Sequence, residues 1–320
     1  MAKPKWLAMF NISPTCSDAV LYLLPDLTVL DIIGADAVQI LNNLCTADLK
    51  LLPSGGGVET FVTEVRGRTL GHGCLYSAPD RLRIIGAGDQ AETLSAHIDR
   101  YTIREDAQPE DVSEAFCKIL ISGKDADRLA QRWGLSPGSP PHLSVTAGPQ
   151  SVADLMVYQV PWTGPADWLC LAPAAVREAL LAELAELEMG EADALDFHAH
   201  RIAAGFPWYG VDLDHTNLPQ EADRNDAAIS FTKGCYLGQE TVARLDALGQ
   251  VQKKLVRWQV QTTAPIAAGT ALTQDGKNVG KITSTVTLDD HTLALGYARR
   301  SHFDAGSHAE CDGAAAIVLP

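Results

Sequence analysis

The densest chemistry in this 320-residue chain lies in one run, Phe231-Thr232-Lys233-Gly234-Cys235-Tyr236-Leu237-Gly238-Gln239-Glu240. A thiol and a primary amine stand two residues apart, bracketed by Gly234 and Gly238, whose missing Cβ atoms permit a tight reversal. Upstream, Ala228 to Phe231 reads as a short buried strand; downstream, Gln239 to Leu248 carries a helical apolar pattern. Cys235 is therefore expected near a helix N-terminus. There the positive helix end, Lys233 and Arg244 would each favour the thiolate, which is a nucleophile and a metal ligand. The same residues also fit a glycine turn around a small buried cysteine, since unpaired cysteine is among the most buried residue types.

Other chemistry-bearing patterns are thinner. Gly86-Ala87-Gly88-Asp89-Gln90-Ala91 follows the apolar stretch Leu82 to Ile85 and fits a dinucleotide fingerprint, with Glu105 placed to hold a ribose. Against it, Asp89 would sit beside a pyrophosphate, and no alternation of long strands and helices follows; a structural turn is the competing reading. His198 and His200, two apart, point in different directions on a helix. Asp212, Asp214 and His215 read as a polar loop more readily than as metal ligands, so no metal site is expected. The chain has no Gly-x-Ser-x-Gly elbow and no P-loop, which leaves serine-hydrolase and classical NTPase readings without support.

The elements that must position these residues read as a mixed fold. Val20 to Leu24 predicts a strand, Asp36 to Leu44 a short helix, and Pro53 to Gly57 a flexible loop. Val58 to Val65 and Thr69 to Tyr76 pair as a hairpin across Arg66-Gly67-Arg68. Leu94, Ile98 and Tyr101 recur at helical spacing, Phe116 to Ile121 reads as a strand, and Lys124 to Trp133 as a helix. Pro137 to Pro149 is rich in Pro, Gly and Ser and reads as a linker or long exposed loop. Strands at Leu155 to Val160 and Trp168 to Leu171 follow. Val176, Leu180, Leu184 and Leu187 then form one helix face that ends by Gly190. From Lys253 onward, short strands at Val256 to Val260, Ile282 to Val286, Leu293 to Tyr297 and Ala316 to Leu319, with the turn Asp275-Gly276, suggest a small antiparallel barrel.

Composition sets the class. At 46% hydrophobic residues, the chain can bury a sizeable core in two or three domains. No stretch approaches the roughly 18 apolar residues of a membrane span. Met1 to Phe10 is too short, and too broken by Lys3, Pro4 and Lys5, for a signal peptide. The 7 cysteines, Cys16, Cys45, Cys74, Cys117, Cys170, Cys235 and Cys311, are scattered without a Cys-x-x-Cys pair, which argues for a reducing compartment. The net charge of −15 is uneven: residues 1–104 carry 9 basic and 11 acidic side chains, 105–226 carry 7 and 21, and 227–320 carry 9 and 8. Such a surface repels phosphate backbones, so no direct nucleic-acid partner is expected. The near-neutral ends could hold an anionic small molecule.

Lys233-Gly234-Cys235-Tyr236-Leu237-Gly238-Gln239-Glu240 resembles the signature of the YgfZ/GcvT-like folate-binding family, matching its lysine-glycine-cysteine-aromatic-x-glycine-glutamine-glutamate pattern without departure. Arg201 to Pro207 and Leu218-Pro219-Gln220-Glu221 resemble the family's arginine-to-glycine-x-proline and proline-glutamate elements. Ala243-Arg244, Gly249 and Lys254-Leu255 fall at its spacing. Gly34-Ala35-Asp36 leading to Thr46-Ala47-Asp48, then Arg66-Gly67-Arg68-Thr69, are similar to its opening domain. Asn42-Asn43 departs from the usual glutamine-glycine, and Gln220 widens the proline-glutamate spacing; both departures bear on individual folate contacts.

The resemblance implies an α+β fold, a three-domain clover-leaf of the aminomethyltransferase (T-protein) folate-binding type, with a C-terminal small β-barrel. Residues 1–110 with 200–245 would form the folate-binding lobe, 111–199 the middle lobe and 246–320 the barrel. It also implies tetrahydrofolate or another reduced folate held near Thr46, Asp48, Arg66, Arg201, Glu221, Gly234, Tyr236, Gly238, Gln239 and Glu240, with Cys235, Lys233 and Arg244 as the reactive centre. The T-proteins carry an acid after the first hairpin turn and a glutamate in the arginine-to-glycine element. Here those places hold Gly71-His72 and Ala203, neither a carboxylate. The cysteine-bearing branch is instead similar to accessory factors for iron–sulfur cluster assembly or repair, which support cluster-dependent enzymes such as those that thiolate tRNA. That branch implies a cluster shared transiently with a partner protein, in a bacterial cytoplasm or, for a eukaryotic member, the mitochondrial matrix. The alternatives are a tetrahydrofolate-dependent one-carbon transferase, whether aminomethyltransferase or demethylase, and a folate-responsive binding module.

Overall fold

The computed structural model describes residues 19–123, 126–138, 142–164, 167–187, 189–192, 194–249 and 251–320. The leader reading of Met1 to Phe10, Cys16 and the helix start at Lys124 lie outside the described residues. Strands β1 (Ala19–Leu23) and β2 (Leu27–Ile33) lead to helix α1 (Ala37–Leu44). This helix buries Ala37, Ile40, Leu41 and Leu44, the i, i+3, i+4, i+7 stripe of an amphipathic helix. Strands β3 (Gly56–Thr63) and β4 (Thr69–Ser77) form the expected hairpin, with Phe61 opposite His72. Strand β5 (Arg81–Ala87), helix α2 (Ala91–Tyr101) and strand β6 (Gln108–Asp111) complete this group.

The next stretch holds β7 (Phe116–Gly123), α3 (Ala126–Trp133), β8 (His142–Ala147), β9 (Met156–Val160), β10 (Asp167–Pro173), α4 (Arg177–Ala185) and β11 (Gly190–Ala192). Helix α5 (Ala194–Ala204), the single turn α6 (Asn225–Ala228) and helix α7 (Gln239–Leu248) then return to the first group. Among the described residues no helix is long and apolar enough to cross a membrane.

Eleven strands make one sheet, in the order β11-β1-β7-β10-β9-β8-β3-β4-β5-β2-β6. Its seam is β8, which pairs with β3 through Leu143 and Ser144 and with β9 through Val145 to Ala147. The linker expected at Pro137 to Pro149 is thus corrected: its described centre is a strand. The Pro and Gly residues flank this strand, while Leu143 and Val145, two apart, face the central core as a period-two pattern requires. The first strand, β1, lies between β7 and β11. The dinucleotide reading also fails. Strand β5 runs antiparallel to both its neighbours, β2 and β4, whereas that motif needs a parallel βαβ unit. Gly86 is required because a Cβ there would lie 2.6 Å from the His72 carbonyl oxygen.

Aromatic side chains fill the centre. Trp162 and Phe197 each pack edge-on against Trp208, with ring centroids 5.4 and 5.1 Å apart, and Tyr22 packs on Phe197. The C-terminal strands β12 (Lys253–Val260), β13 (Ala271–Gln274), β14 (Lys277–Thr287), β15 (Thr292–Arg299), β16 (His308–Cys311) and β17 (Ala314–Val318) close into the expected barrel. Asp275 and Gly276 turn it at φ 51° and 71°, the two positive values of a type I′ hairpin.

Candidate functional site

The cysteine loop is built by stitching two distant segments together. Ala228 to Phe231 is not the strand its apolar run suggests. The helical turn α6 ends at Ala228, and the chain beyond it runs extended, held by Ser230 N–H donating to the Thr46 carbonyl at 2.9 Å. Thr46 Oγ1 donates to the Ala228 carbonyl at 2.6 Å, and Leu237 N–H donates to the Asn43 carbonyl at 2.8 Å. Thr63 Oγ1 donates to the Leu237 carbonyl at 2.7 Å. Gly238, at φ 83°, begins α7, and a Cβ there would lie 2.5 Å from both the Glu64 carbonyl oxygen and Gly67 Cα. The hairpin tip and the cysteine loop therefore meet glycine to glycine. Gln239 helps to hold the loop, its side-chain oxygen accepting from Tyr236 N–H at 3.3 Å.

Lys233 does not serve the thiol. Its ammonium donates to the carbonyls of Asn42, Cys45 and Ala47 at 2.7, 2.9 and 2.6 Å. These carbonyls lie at and just beyond the C-terminus of α1, where a helix leaves acceptors unpaired and its dipole favours a cation. Lys233 is buried, and that burial pushes its amine below the usual lysine value. The sequence expectation that it stabilises a Cys235 thiolate is corrected, because its three donors are committed inward. Tyr236 packs its ring 5.0 Å from the same ammonium, and burial pushes its hydroxyl up to about 12.

Cys235 itself is exposed, as are Gly234, Glu240 and Arg244. A Cβ at Gly234 would meet nothing within 4 Å. The other described cysteines are buried or half-buried, and burial raises the thiols of Cys45, Cys74, Cys117, Cys170 and Cys311. The thiol most open to solvent therefore sits three residues before the cap of α7, at the end where the helix dipole is positive.

The remaining residues taken from the motifs divide into pins and surface groups. Thr46 and Arg201 are almost fully buried, and their side chains are engaged within the protein. Arg201 donates to Asp212 at 2.6 Å and to His198 Nδ1 at 2.7 Å. Asp212, expected in a polar loop, is also buried; it accepts from Trp208 N–H and from the Thr283 and Ser284 hydroxyls, tying α5 to the barrel. His200 pairs with the Tyr22 hydroxyl at 2.5 Å. Glu221 accepts from Asn217 Nδ2 at 2.9 Å and lies 3.3 Å from Lys253. Asp48 accepts from Lys50 N–H, and Arg66 is exposed at the hairpin tip.

One cluster was not read from the sequence. His72, noted only as standing in place of a carboxylate, lies 2.8 Å from Glu59, which Arg224 grips at 2.9 and 2.5 Å. Phe61 stacks on His72 at 4.5 Å, and the Arg224 guanidinium sits 5.1 Å from the Phe206 ring. Burial would raise the Glu59 carboxyl, but Arg224 and His72 hold it down to about 2. A carboxylate so neutralised is not a free acid or base. The signal was present: Glu59 is the one charged residue within Val58 to Val62. Arg224 also lines a cavity of about 310 Å³ between the end of α5 and the barrel, with Gly205, Lys254, Arg257, Leu295 and Phe303 among its other walls.

Comparison with known proteins now bears on these features. A family described as the GCVT N-terminal domain matches residues 17–233. The chain belongs to this GcvT-like family, as the cysteine motif implied. It is 28% identical over 278 residues to the mitochondrial iron–sulfur cluster assembly factor IBA57 of Homo sapiens, covering 79% of this chain and 71% of that protein. It is 27% identical to the tRNA-modifying protein YgfZ of Serratia proteamaculans, covering 89% of this chain and 85% of that one. It spans 64% of the length of a chloroplastic relative from Arabidopsis thaliana. The fold matches that of the glycine cleavage system aminomethyltransferase T from Bartonella henselae, with a TM-score of 0.82 and 19% identity over 96% of this chain and 86% of that one. The α+β aminomethyltransferase fold with its C-terminal barrel is thereby shown.

Proposed function

We propose that this chain is a folate-binding accessory factor for iron–sulfur cluster assembly or repair, with Cys235 as its reactive thiolate. The observation that carries the reading is the display of Cys235: an exposed thiol on a loop pinned at Thr46, Asn43, Thr63 and Gly67, while the other described thiols are buried or half-buried. A rigid loop presents the sulfur to a macromolecule at little ordering cost. On losing its proton, the sulfur can ligate iron of a cluster that is cargo rather than a resident group. A cluster takes about four such ligands, so a partner, either an assembly protein or a cluster-dependent enzyme, supplies the others. With Lys233 committed elsewhere, the loop offers the sulfur a position at the N-terminal end of α7, with Arg244 exposed on the same helix. The likeness to IBA57 and YgfZ supports this role.

Reduced folate fits the cavity at Arg224 by its chemistry. Leu295 and Phe303 offer apolar walls to a flat ring, and Arg224, Lys254 and Arg257 bring positive charge for its carboxylates against Asp223, which pairs with Lys254 at 3.3 Å. Bound there, a folate would supply one-carbon or reducing equivalents. The transferase alternative is disfavoured because the two expected carboxylates are His72 and Ala203, the first bound to Glu59 and the second buried against the barrel. Anaerobic isothermal titration with tetrahydrofolate tests the folate reading. Saturable binding near one site per chain is expected, and absence of binding would remove it.

A further inference from the structure

We propose that the outer barrel face formed by Lys253, Lys281, Tyr297 and Arg299 is a binding site for a small phosphate- or carboxylate-bearing anion, separate from the cavity at Arg224. Strand register puts these four side chains together. Lys281 stands opposite Tyr297 in the β14–β15 ladder, and Lys253 stands opposite Arg299 in the β12–β15 ladder. Tyr297 and Arg299 are two apart on β15, so all four project from one face of three adjacent strands. They line a cavity of about 320 Å³ whose other wall is the 210–217 loop.

The cavity carries an unmet donor. Tyr297 is 7% exposed, and its hydroxyl lacks a hydrogen bond of good geometry, with the Asn217 side chain its one polar neighbour for such a bond. Its neighbour Asn217 is already engaged, donating to Glu221 and accepting from Asp214 N–H. A buried hydroxyl left unpaired is costly, and an acceptor oxygen in the cavity would recover that cost. Burial, reinforced by Glu221, Asp212 and Asp214, raises this hydroxyl far above the ordinary tyrosine value, so it remains a donor at every physiological pH.

The charges sort in the same direction. Lys281 and Arg299 are exposed and make no ion pair among the described residues, while Lys253 lies 3.3 Å from Glu221 and over the Tyr297 ring at 4.6 Å. Of the acids on the loop wall, Asp212 spends both oxygens on Arg201, Trp208, Thr283 and Ser284, and Asp214 turns Oδ1 to the amide and hydroxyl of Thr216. Lys281, Arg299 and the Tyr297 hydroxyl therefore face the space, against one free carboxylate oxygen, Asp214 Oδ2. An oxyanion answers all three.

Titration of the full chain with inorganic phosphate, and separately with malonate, at constant ionic strength tests this. We expect saturable binding of one or both, with an affinity of about millimolar or tighter. Tyr297→Phe and Lys281→Ala should each weaken it about fivefold or more, and Lys277→Ala, a charge control on the same barrel, should leave it unchanged. Phosphate alone binding would assign the site to phosphate-bearing molecules, and malonate alone to carboxylates. Absence of saturation in both titrations, or equal weakening by Lys277→Ala, would overturn the proposal. Thermal melts of each variant confirm that the fold is retained.

Discussion

Lys233 Nζ lies 2.6 Å from the carbonyl oxygen of Ala47, joining residues 186 positions apart in the chain. With the Asn42 and Cys45 carbonyls it makes a three-way clamp that holds the cysteine loop to the end of α1. Charged hydrogen bonds of this kind are worth about 1.5–3 kcal/mol each before the cost of burying the ammonium. Lys233→Met should therefore lower stability by about 2–4 kcal/mol in urea melts. In the fraction that remains folded, the rate of Cys235 with a neutral thiol reagent should not fall. A slowed thiol with unchanged stability would return Lys233 to the role of thiolate partner.

The contact between Gly238 and Gly67 predicts a contrast within one loop. Gly238→Ala meets Glu64 and Gly67 backbone at 2.5 Å from a positive-φ position and should cost about 2 kcal/mol or more. Gly234→Ala points into open space and should change stability by less than about 0.5 kcal/mol. Melting of the two variants side by side checks the pair, and equal losses would contradict the glycine-to-glycine fit.

Glu59 gives a pH prediction. Its folded carboxyl is held at about 2 against an ordinary 4.5. A carboxyl depressed on folding contributes stability that is complete above its unfolded value and is lost as pH falls through the folded one. Stability should therefore decline between pH 4.5 and 2, and Glu59→Gln should flatten that limb. Removing the cation instead, by Arg224→Met, leaves a buried charge uncompensated and should cost about 3–5 kcal/mol at neutral pH. Urea midpoints measured across this range decide it; an unchanged acid limb in Glu59→Gln would show that other carboxylates govern acid unfolding.

What the sequence made legible was local. Asp275-Gly276, the amphipathic run of α1 and the Val58-to-Tyr76 hairpin each carry their instructions within a few residues, and each formed where expected. The eight-residue cysteine motif located the loop and its helix for the same reason. Partner choice over long distance was not legible. Nothing near Lys233 announces Asn42, nothing near His142 announces that β8 joins two half-sheets, and nothing near Glu59 announces Arg224, 165 residues away. Burial then reassigns chemistry: Thr46, Lys233 and Arg201 carry reactive groups by type, yet the fold spends them on carbonyls and carboxylates. Cys235 stays available because its part of the loop is exposed, with open space around the neighbouring Gly234 as well.

The most direct test of the central claim is rescue of a cluster-dependent enzyme by Cys235→Ser in cells lacking the native protein, with tetrahydrofolate titration and expression level measured on the same variant. The account predicts normal folding, unchanged folate binding and lost rescue. Full rescue at equal expression would contradict it.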